Sequence, residues 1–181
     1  MKLTTERLLI RQWQDADRAP FAAMSADPRV MRYFDKTLDE AESNAAIDRW
    51  TKSIDDFGYG FGAAELRATG EFIGVIGLFI PTRFVMPWAP DDVEIGWRLA
   101  EPFWGQGLAT EGGQACIEYG FGVLKRDRLF AVTALQNTPS RKVMERLGLH
   151  DTERDFDHPA LAPEHPLARH CLYEIESSST Q

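Results

Sequence analysis

The alternation of apolar and polar residues along the chain predicts short strands and amphipathic helices. Apolar runs with polar interruptions, bounded by turn residues, predict seven strands: 7–13, 60–66, 71–80, 93–99, 128–135, 149–156 and 169–176. Apolar spacings of three and four predict four helices: 15–24, 39–57, 109–123 and 140–147. This order predicts an α/β (α+β) fold around a mixed, mostly antiparallel sheet.

Capping residues mark the ends of the predicted helices. Asp15 is expected to cap the first helix, and Thr37 or Asp39 the second. Gly58 and Gly148 are expected to end the second and fourth helices, because glycine readily adopts the left-handed conformation found there.

The 181-residue chain shows no internal repeat and no linker. Pro87 and Pro90 break a loop over residues 83–92. We therefore expect one domain over residues 1–176 and a disordered tail over 177–181.

Composition narrows the possible partners. The net charge of -8 argues against nucleic acid binding, which needs a basic face, and mildly favours a cationic or amine substrate.

Cys116 and Cys171 lie in apolar segments and are expected to be reduced core thiols, and no motif offers metal-ligand spacing. No signal-peptide layout is present, and the apolar run Phe72–Ile80 is too short to span a bilayer. A cytoplasmic protein with no membrane partner is expected.

A glycine turn lies between the strand that begins at Glu94 and the helix that follows it. Gly105 and Gly107 let backbone approach a ligand closely, and the first amides of a helix attract anions. The motif of a phosphate-binding P-loop is absent, and Thr110 replaces the third glycine of a dinucleotide fingerprint. The pyrophosphate of coenzyme A is a third candidate ligand.

The sequence around this turn resembles the GNAT superfamily of N-acetyltransferases, and is most similar to the ribosomal-protein N-terminal acetyltransferase type. The resemblance rests on TERLLIRQW, EIGWRLAEPFWGQGLATEG, NTPSRKVMERLGL and HCLYEI, and so covers nearly the whole chain. In the family motif, Gly107 and Ala109 fill the last two positions. Trp104 stands where Gln or Arg is usual.

The resemblance implies acetyl-CoA as cosubstrate, no metal, and a sheet splayed between the fourth and fifth predicted strands. The pantetheine arm would bind between these strands, and backbone amides of the turn would hold the pyrophosphate. The residues assigned to the coenzyme are Trp97, Leu99, Trp104, Gly105, Gln106, Gly107, Leu108, Ala109, Thr110 and Asn137.

Acetyl transfer to an amine needs a group that accepts the amine proton. Glu94 is the candidate base, because a partly desolvated carboxylate in an apolar strand has a raised pKa. The alternative is that Glu94 forms a structural ion pair with Arg98 or another arginine.

The proton donor for the leaving thiolate is less defined. Met144 occupies the position where many family members carry a tyrosine. Tyr119 and Tyr173 lie elsewhere in the sequence, and no geometric reason assigns either of them as the proton donor. The resemblance places Ser140 near the thioester sulfur, although a serine at a helix start also serves as an N-cap.

Two further groups of residues are candidates for ligand contacts. Arg141, Lys142 and Arg146 either meet the coenzyme 3′-phosphate or form a solvated helix face. The acceptor amine is expected to meet Tyr33, Phe34, Trp50 and the loop from His158 to His165.

Three functions remain open. The first is an N-acetyltransferase, monomeric or homodimeric, acting on a protein N-terminal α-amine or a small-molecule amine. The second is a non-catalytic acyl-CoA sensor, suggested by Met144 in the tyrosine position. The third is a nucleotide-binding module that uses the glycine turn.

Overall fold

The computed structural model describes residues 1–81 and 92–177. The predicted loop at 83–91, with Pro87 and Pro90, and the tail from 178 lie outside these residues. The strands are β1 (Leu3–Thr4), β2 (Leu8–Arg11), β3 (Phe61–Leu66), β4 (Phe72–Phe79), β5 (Val93–Leu99), β6 (Arg128–Ala134), β7 (His150–Asp151), β8 (Phe156–Asp157) and β9 (Arg169–Glu176). The α-helices are α1 (Arg18–Ala26), α2 (Glu40–Phe57), α3 (Leu108–Gly122) and α4 (Thr138–Arg146).

The strands form one mixed, mostly antiparallel sheet in the order β1-β2-β3-β4-β5-β6-β9-β7, with β8 also pairing with β9. In the described part of the chain, the parallel pair is β5 with β6. These two strands pair only at Val93 with Leu129 and at Glu94 with Phe130. They diverge beyond Glu94, which confirms the splay expected between the fourth and fifth predicted strands.

The helices cover both faces of the sheet. Successive strand residues point to opposite faces. Val75 packs with the helices α1 and α2, whereas its neighbour Ile76 packs with α3 and α4. The splayed gap between β5 and β6 therefore opens between two helical layers.

Two predicted strands match their observed bounds, at 93–99 and 169–176. The predicted strand 149–156 is wrong: it is divided into β7 and β8, because Glu153 adopts a left-handed φ of +57° that ends the extended run. The two-residue strand β1 was not predicted. The described sheet consequently has nine strands instead of seven.

The helix ends follow the capping residues except at the first helix. Asp39 caps α2 and forms a capping box with Glu42, and Gly58 ends it at φ +79°. The prediction for Asp15 is wrong, because Asp15 begins a short 3-10 turn and α1 starts only at Arg18.

Glycines of α3 let this helix lie directly on the sheet. A Cβ on Gly112 would be only 2.5 Å from Cδ1 of Ile76 on β4. This close approach fixes the position of the α3 N-terminus beside the open end of β5.

Both cysteines are buried. Cys116, further along α3, is a free thiol, and burial raises its pKa to about 12. Cys171 is also buried and free, as predicted.

The carboxyl end of the described chain is held by backbone pairing. The Ser177 amide donates a hydrogen bond to the Asp127 carbonyl over 2.8 Å. This hydrogen bond holds Ser177 next to the residue that precedes β6.

Candidate active site

A cleft of about 860 Å³ occupies the gap between β5 and β6 and the loops above it. Eleven of the twelve predicted site residues line it: Glu94, Trp97, Leu99, Trp104, Gly105, Gly107, Leu108, Ala109, Thr110, Asn137 and Ser140. Gln106 does not line it, because its side chain turns back to donate to the Pro102 carbonyl over 2.8 Å.

The glycine turn presents open backbone to this cleft. Gly105 and Gly107 have φ of +72° and +77°, a region that glycine adopts without strain. A Cβ on Gly105 would meet nothing within 4 Å. Gly107 is the N-cap of α3 and offers no side chain, so the first amides of the helix are free to bind a ligand. The turn therefore fits an anion such as a diphosphate.

Arg7 holds this turn from outside the cleft. Its guanidinium donates from Nη1 to the Gln106 carbonyl over 2.9 Å and from Nε to Glu111 Oε2 over 2.6 Å. Glu111 belongs to the first turn of α3, where a carboxylate is also favoured by the helix dipole. Arg7 and Glu111 were not predicted as site residues, and we assign them a positioning role.

Replacing Arg7 by Gln is expected to weaken the affinity of the turn for its anionic ligand about tenfold, since one charge-assisted hydrogen bond fixes the loop carbonyl. Isothermal titration with coenzyme A measures this. Arg67→Gln is the matched control, because Arg67 donates to the carbonyls of Thr5 and Glu6 in the same segment without touching the turn. Equal affinities for the two variants would contradict the role of Arg7.

The free edge of β5 faces the cleft. The Ala100 amide donates to the carbonyl of Ile73 in β4, and neighbouring residues of a strand direct their backbone groups to opposite edges. Trp97 and Leu99 therefore direct backbone groups towards the splayed gap. The Trp104 indole donates to the Leu99 carbonyl over 2.7 Å, so Trp104 contributes a side-chain contact that the sequence did not predict.

Glu94 lies where β5 and β6 begin to separate. Its side chain is partly buried, and this burial raises the pKa of Glu94 to about 7. Arg98 does not pair with it: its Nη1 contacts Met31 Sδ at 2.9 Å and its guanidinium lies over aromatic rings. Glu94 forms no ion pair with any arginine that the structure describes. The alternative that Glu94 serves only in a structural ion pair is therefore not supported.

The raised pKa of Glu94 makes a prediction for stability. The unfolded chain loses this proton near pH 4.5 and the folded chain near pH 7. Deprotonation therefore costs stability as the pH rises between these values, and the cost stays constant above them. The Glu94→Gln variant has no charge at this position. Its melting temperature at pH 8 is therefore expected to exceed that of the wild type by a few degrees, which is on the order of the cost of one buried charge.

The difference between the two melting temperatures should vanish near pH 4.5, and thermal melts across this range measure it. An equal difference at both pH values would contradict the burial of this charge.

Asn137 and Ser140 meet at the start of α4. Asn137 is the N-cap, and its Oδ1 accepts from the Ser140 amide over 3.3 Å. Ser140 is therefore not the N-cap that the alternative reading of its sequence position suggested. Asn137 Nδ2 donates to Thr133 Oγ1 over 2.8 Å. Internal bonds thus orient the Asn137 amide, and Ser140 faces the cleft.

The basic residues of α4 divide into two groups. Lys142 and Arg146 are exposed and line the cleft. Arg141 turns away from it to donate to the Tyr173 hydroxyl over 3.3 Å. The Tyr119 hydroxyl donates to the Gly58 carbonyl, so neither tyrosine is a lining residue of the cleft.

The predicted acceptor residues also line the cleft. Tyr33, Phe34 and Trp50 line it, together with His158 from the loop after β8. His170 was not predicted and also lines it, with its ring centroid 4.8 Å from that of His158. Burial lowers the pKa of both histidines, so the two imidazoles are neutral at pH 7.

The loop before β9 reaches across to the link between α1 and α2. His165 Nε2 lies 3.7 Å from Asp35 Oδ1. This contact joins the two segments that border the acceptor end of the cleft. The link between α1 and α2 also reaches the glycine turn, because Arg32 Cζ lies 5.3 Å from the centroid of the Trp104 ring.

Comparison with known proteins identifies the fold. A mixed sheet splayed beside a glycine turn at a helix N-terminus is the architecture of an acyltransferase, and the acetyltransferase (GNAT) domain family matches residues 7–150. The chain belongs to the GNAT acetyltransferase family and is an N-acetyltransferase.

Individual relatives agree with this assignment. The Bacillus subtilis protein YkkB is 31% identical over 153 residues, covering 82% of this chain and 85% of its own. The FsC-acetyl coenzyme A-N(2)-transacetylase of Aspergillus fumigatus is 31% identical over 138 residues, covering 74% of this chain and 58% of its own. A GNAT-family acetyltransferase structure from Bacillus anthracis aligns with a TM-score of 0.78 at 25% identity, covering 97% of this chain and 98% of its own.

Residues 1–81 and 92–177 contain neither a metal site nor a membrane-spanning helix. No group of three or more His, Cys, Asp or Glu side chains there is arranged to hold a metal ion. No helix in these ranges is long and apolar enough to cross a membrane.

Proposed function

We propose that the protein transfers the acetyl group of acetyl-CoA to a primary amine by direct attack. The observation that carries this proposal is the position of Glu94 at the point where β5 and β6 diverge, in one cleft with the open glycine turn. The turn suits the pyrophosphate of the coenzyme, and the free edge of β5 suits its pantetheine arm.

Each predicted residue then has a role in the proposal. Backbone amides from Gly105 to Thr110 hold the pyrophosphate, with Trp104 and Gln106 shaping the turn. Trp97 and Leu99 hydrogen bond to the arm, and Asn137 borders it from the start of α4. Lys142 and Arg146 are placed to meet the 3′-phosphate, whereas Arg141 is not.

The reaction needs a neutral amine, because a protonated amine has no lone pair for attack. Glu94 accepts the amine proton, which its raised pKa favours near neutral pH. The amine nitrogen forms a bond to the thioester carbonyl carbon, backbone amides of the splayed strand stabilise the oxyanion, and the carbon–sulfur bond breaks. Ser140 donates a hydrogen bond to the departing thiolate, which then takes up a proton from water.

The finer assignments are part of the same proposal. We place the chain with the ribosomal-protein N-terminal acetyltransferase type because of Trp104 and Ser140, which that type shares. We further propose that residues 1–176 act as one catalytic domain, in a cytoplasmic protein that is a monomer or homodimer. The acceptor is a peptide N-terminal α-amine or a small-molecule amine, and neither nucleic acid nor membrane is a partner.

Detection of both products tests the proposed reaction. The protein is incubated with acetyl-CoA and a panel of small amines and N-terminal peptides. We expect one thiol of coenzyme A to be released for each acetylated amine found by mass spectrometry. Binding of acetyl-CoA without any thiol release or acetylated amine would instead favour the acyl-CoA sensor.

A further inference from the structure

Arg98 is a partly buried cation that lines the same cleft as the predicted acceptor residues. It lies on β5 opposite Val75 of β4, and so points to the face that α1 and α2 cover. Glu94 and Gly96 share this face, because alternate strand residues point the same way. Glu94 and Arg98 are four residues apart, so their Cα atoms are separated by about 13 Å along the strand.

The groups around this guanidinium are neutral. Its Nη1 contacts the Met31 thioether sulfur at 2.9 Å, and its Cζ lies 5.1 Å from the Phe21 ring centroid and 5.0 Å from that of Phe34. Burial lowers the pKa of Arg98 to about 10, so the group is still charged at neutral pH. Within the described chain no carboxylate forms an ion pair with it.

Arg11, another partly buried arginine on the same sheet, has the carboxylate counter-ions that Arg98 lacks. Arg11 of β2 pairs with Asp17 at 2.7 Å and with Glu65 at 2.5 Å. Burying a charge without a counter-ion costs free energy, which is why buried guanidinium groups are normally paired. Arg98 lines the cleft, so a ligand is able to supply the missing anion.

We propose that Arg98 binds a carboxylate carried by the acceptor amine, so that the substrate is an amino-carboxylate instead of a polyamine or an uncharged amine. This inference rests on the proposed function, since it places the amine at Glu94. A single guanidinium matches one carboxylate in charge and in its two parallel donors. The separation of the two residues favours a carboxylate several bonds away from the amine.

The test compares an acid with its amide. Acetyl transfer from acetyl-CoA is measured to 6-aminohexanoate and to 6-aminohexanamide, which differ only in the charged group. We expect the wild type to prefer the acid in kcat/KM by about tenfold or more, the range of a charge-assisted hydrogen bond. Arg98→Met should lose this preference, so that its kcat/KM values for the acid and the amide become equal.

Two further variants test whether the preference for the acid depends on the guanidinium of Arg98 in particular. Arg18→Met removes a partly exposed arginine that pairs with Asp48 on α2 and does not line the cleft, and it should keep the wild-type preference. Arg98→Lys keeps the charge but loses the planar pair of donors, and should keep only part of the preference. If Arg98→Met does not fold, Arg98→Gln, which keeps a hydrogen-bond donor but has no charge, tests the inference: an unchanged preference in that variant would overturn it.

A binding measurement separates this inference from the proposed reaction. Titration calorimetry with 6-aminohexanoate is run on the protein saturated with coenzyme A. Binding by the wild type but not by Arg98→Met, without acetyl transfer to any amine, would support the inference and defeat the reaction. Transfer at equal kcat/KM to the acid and the amide by the wild type would support the reaction and overturn the inference.

Discussion

Glu94→Gln lowers kcat about 100-fold or more and leaves the affinity for coenzyme A unchanged. The amide is isosteric but accepts no proton, and general base catalysis contributes factors of this size. The wild-type kcat is expected to rise with pH through an apparent pKa of about 7, as the Glu94 carboxyl loses its proton. Steady-state kinetics from pH 5.5 to 9 measure both effects.

The control for this prediction is Glu71→Gln, a change at an exposed residue of the turn between β3 and β4. It should keep both the wild-type kcat and the rise with pH. A Glu94→Gln enzyme with wild-type kcat and an unchanged pH profile would show that another group or water accepts the proton.

Gly107→Glu abolishes binding of coenzyme A, with an expected loss of affinity of at least about 100-fold, because several charge-assisted hydrogen bonds to the pyrophosphate are lost together. The backbone at Gly107 has φ +77°, and a Cβ there would lie 3.6 Å from Arg7 Nη2. The added carboxylate would compete with the Gln106 carbonyl for Arg7 and would place a negative charge next to the first amides of α3, where it repels the phosphates. Titration calorimetry measures the affinity.

Gly70→Glu is the matched control for the backbone strain. Gly70 has φ +71°, and a Cβ there meets nothing within 4 Å, but it lies in the β3–β4 turn away from the cleft. Both variants should lose similar stability, and only Gly107→Glu should lose coenzyme affinity. Retained affinity in Gly107→Glu would mean that the pyrophosphate binds elsewhere.

The local pattern of the sequence predicted most of the fold. The strand β5 was predicted with its observed bounds because apolar residues alternate between turn residues, and Asp39 and Gly58 marked the ends of α2 through their own backbone preferences. The division of 149–156 escaped prediction because it depends on a left-handed φ at Glu153, which is not a glycine.

The contacts that complete the site join residues that are far apart in the sequence, so the local sequence pattern does not predict them. Arg7 and Glu111 are 104 residues apart in sequence, and only the folded sheet brings them together behind the glycine turn. The surroundings of Arg98 come from Phe21, Met31 and Phe34, which precede it by more than sixty residues. The sequence alone therefore left open whether Arg98 pairs with Glu94.

A thermal shift experiment with coenzyme A, acetyl-CoA, ATP and NAD tests most directly whether the cleft is a coenzyme A site. A ligand that binds only the folded state raises the melting temperature. We predict that coenzyme A and acetyl-CoA raise it and that ATP and NAD do not. Stabilisation by ATP or NAD instead, or by none of the four, would contradict the assignment of the glycine turn and the roles proposed for Glu94 and Ser140.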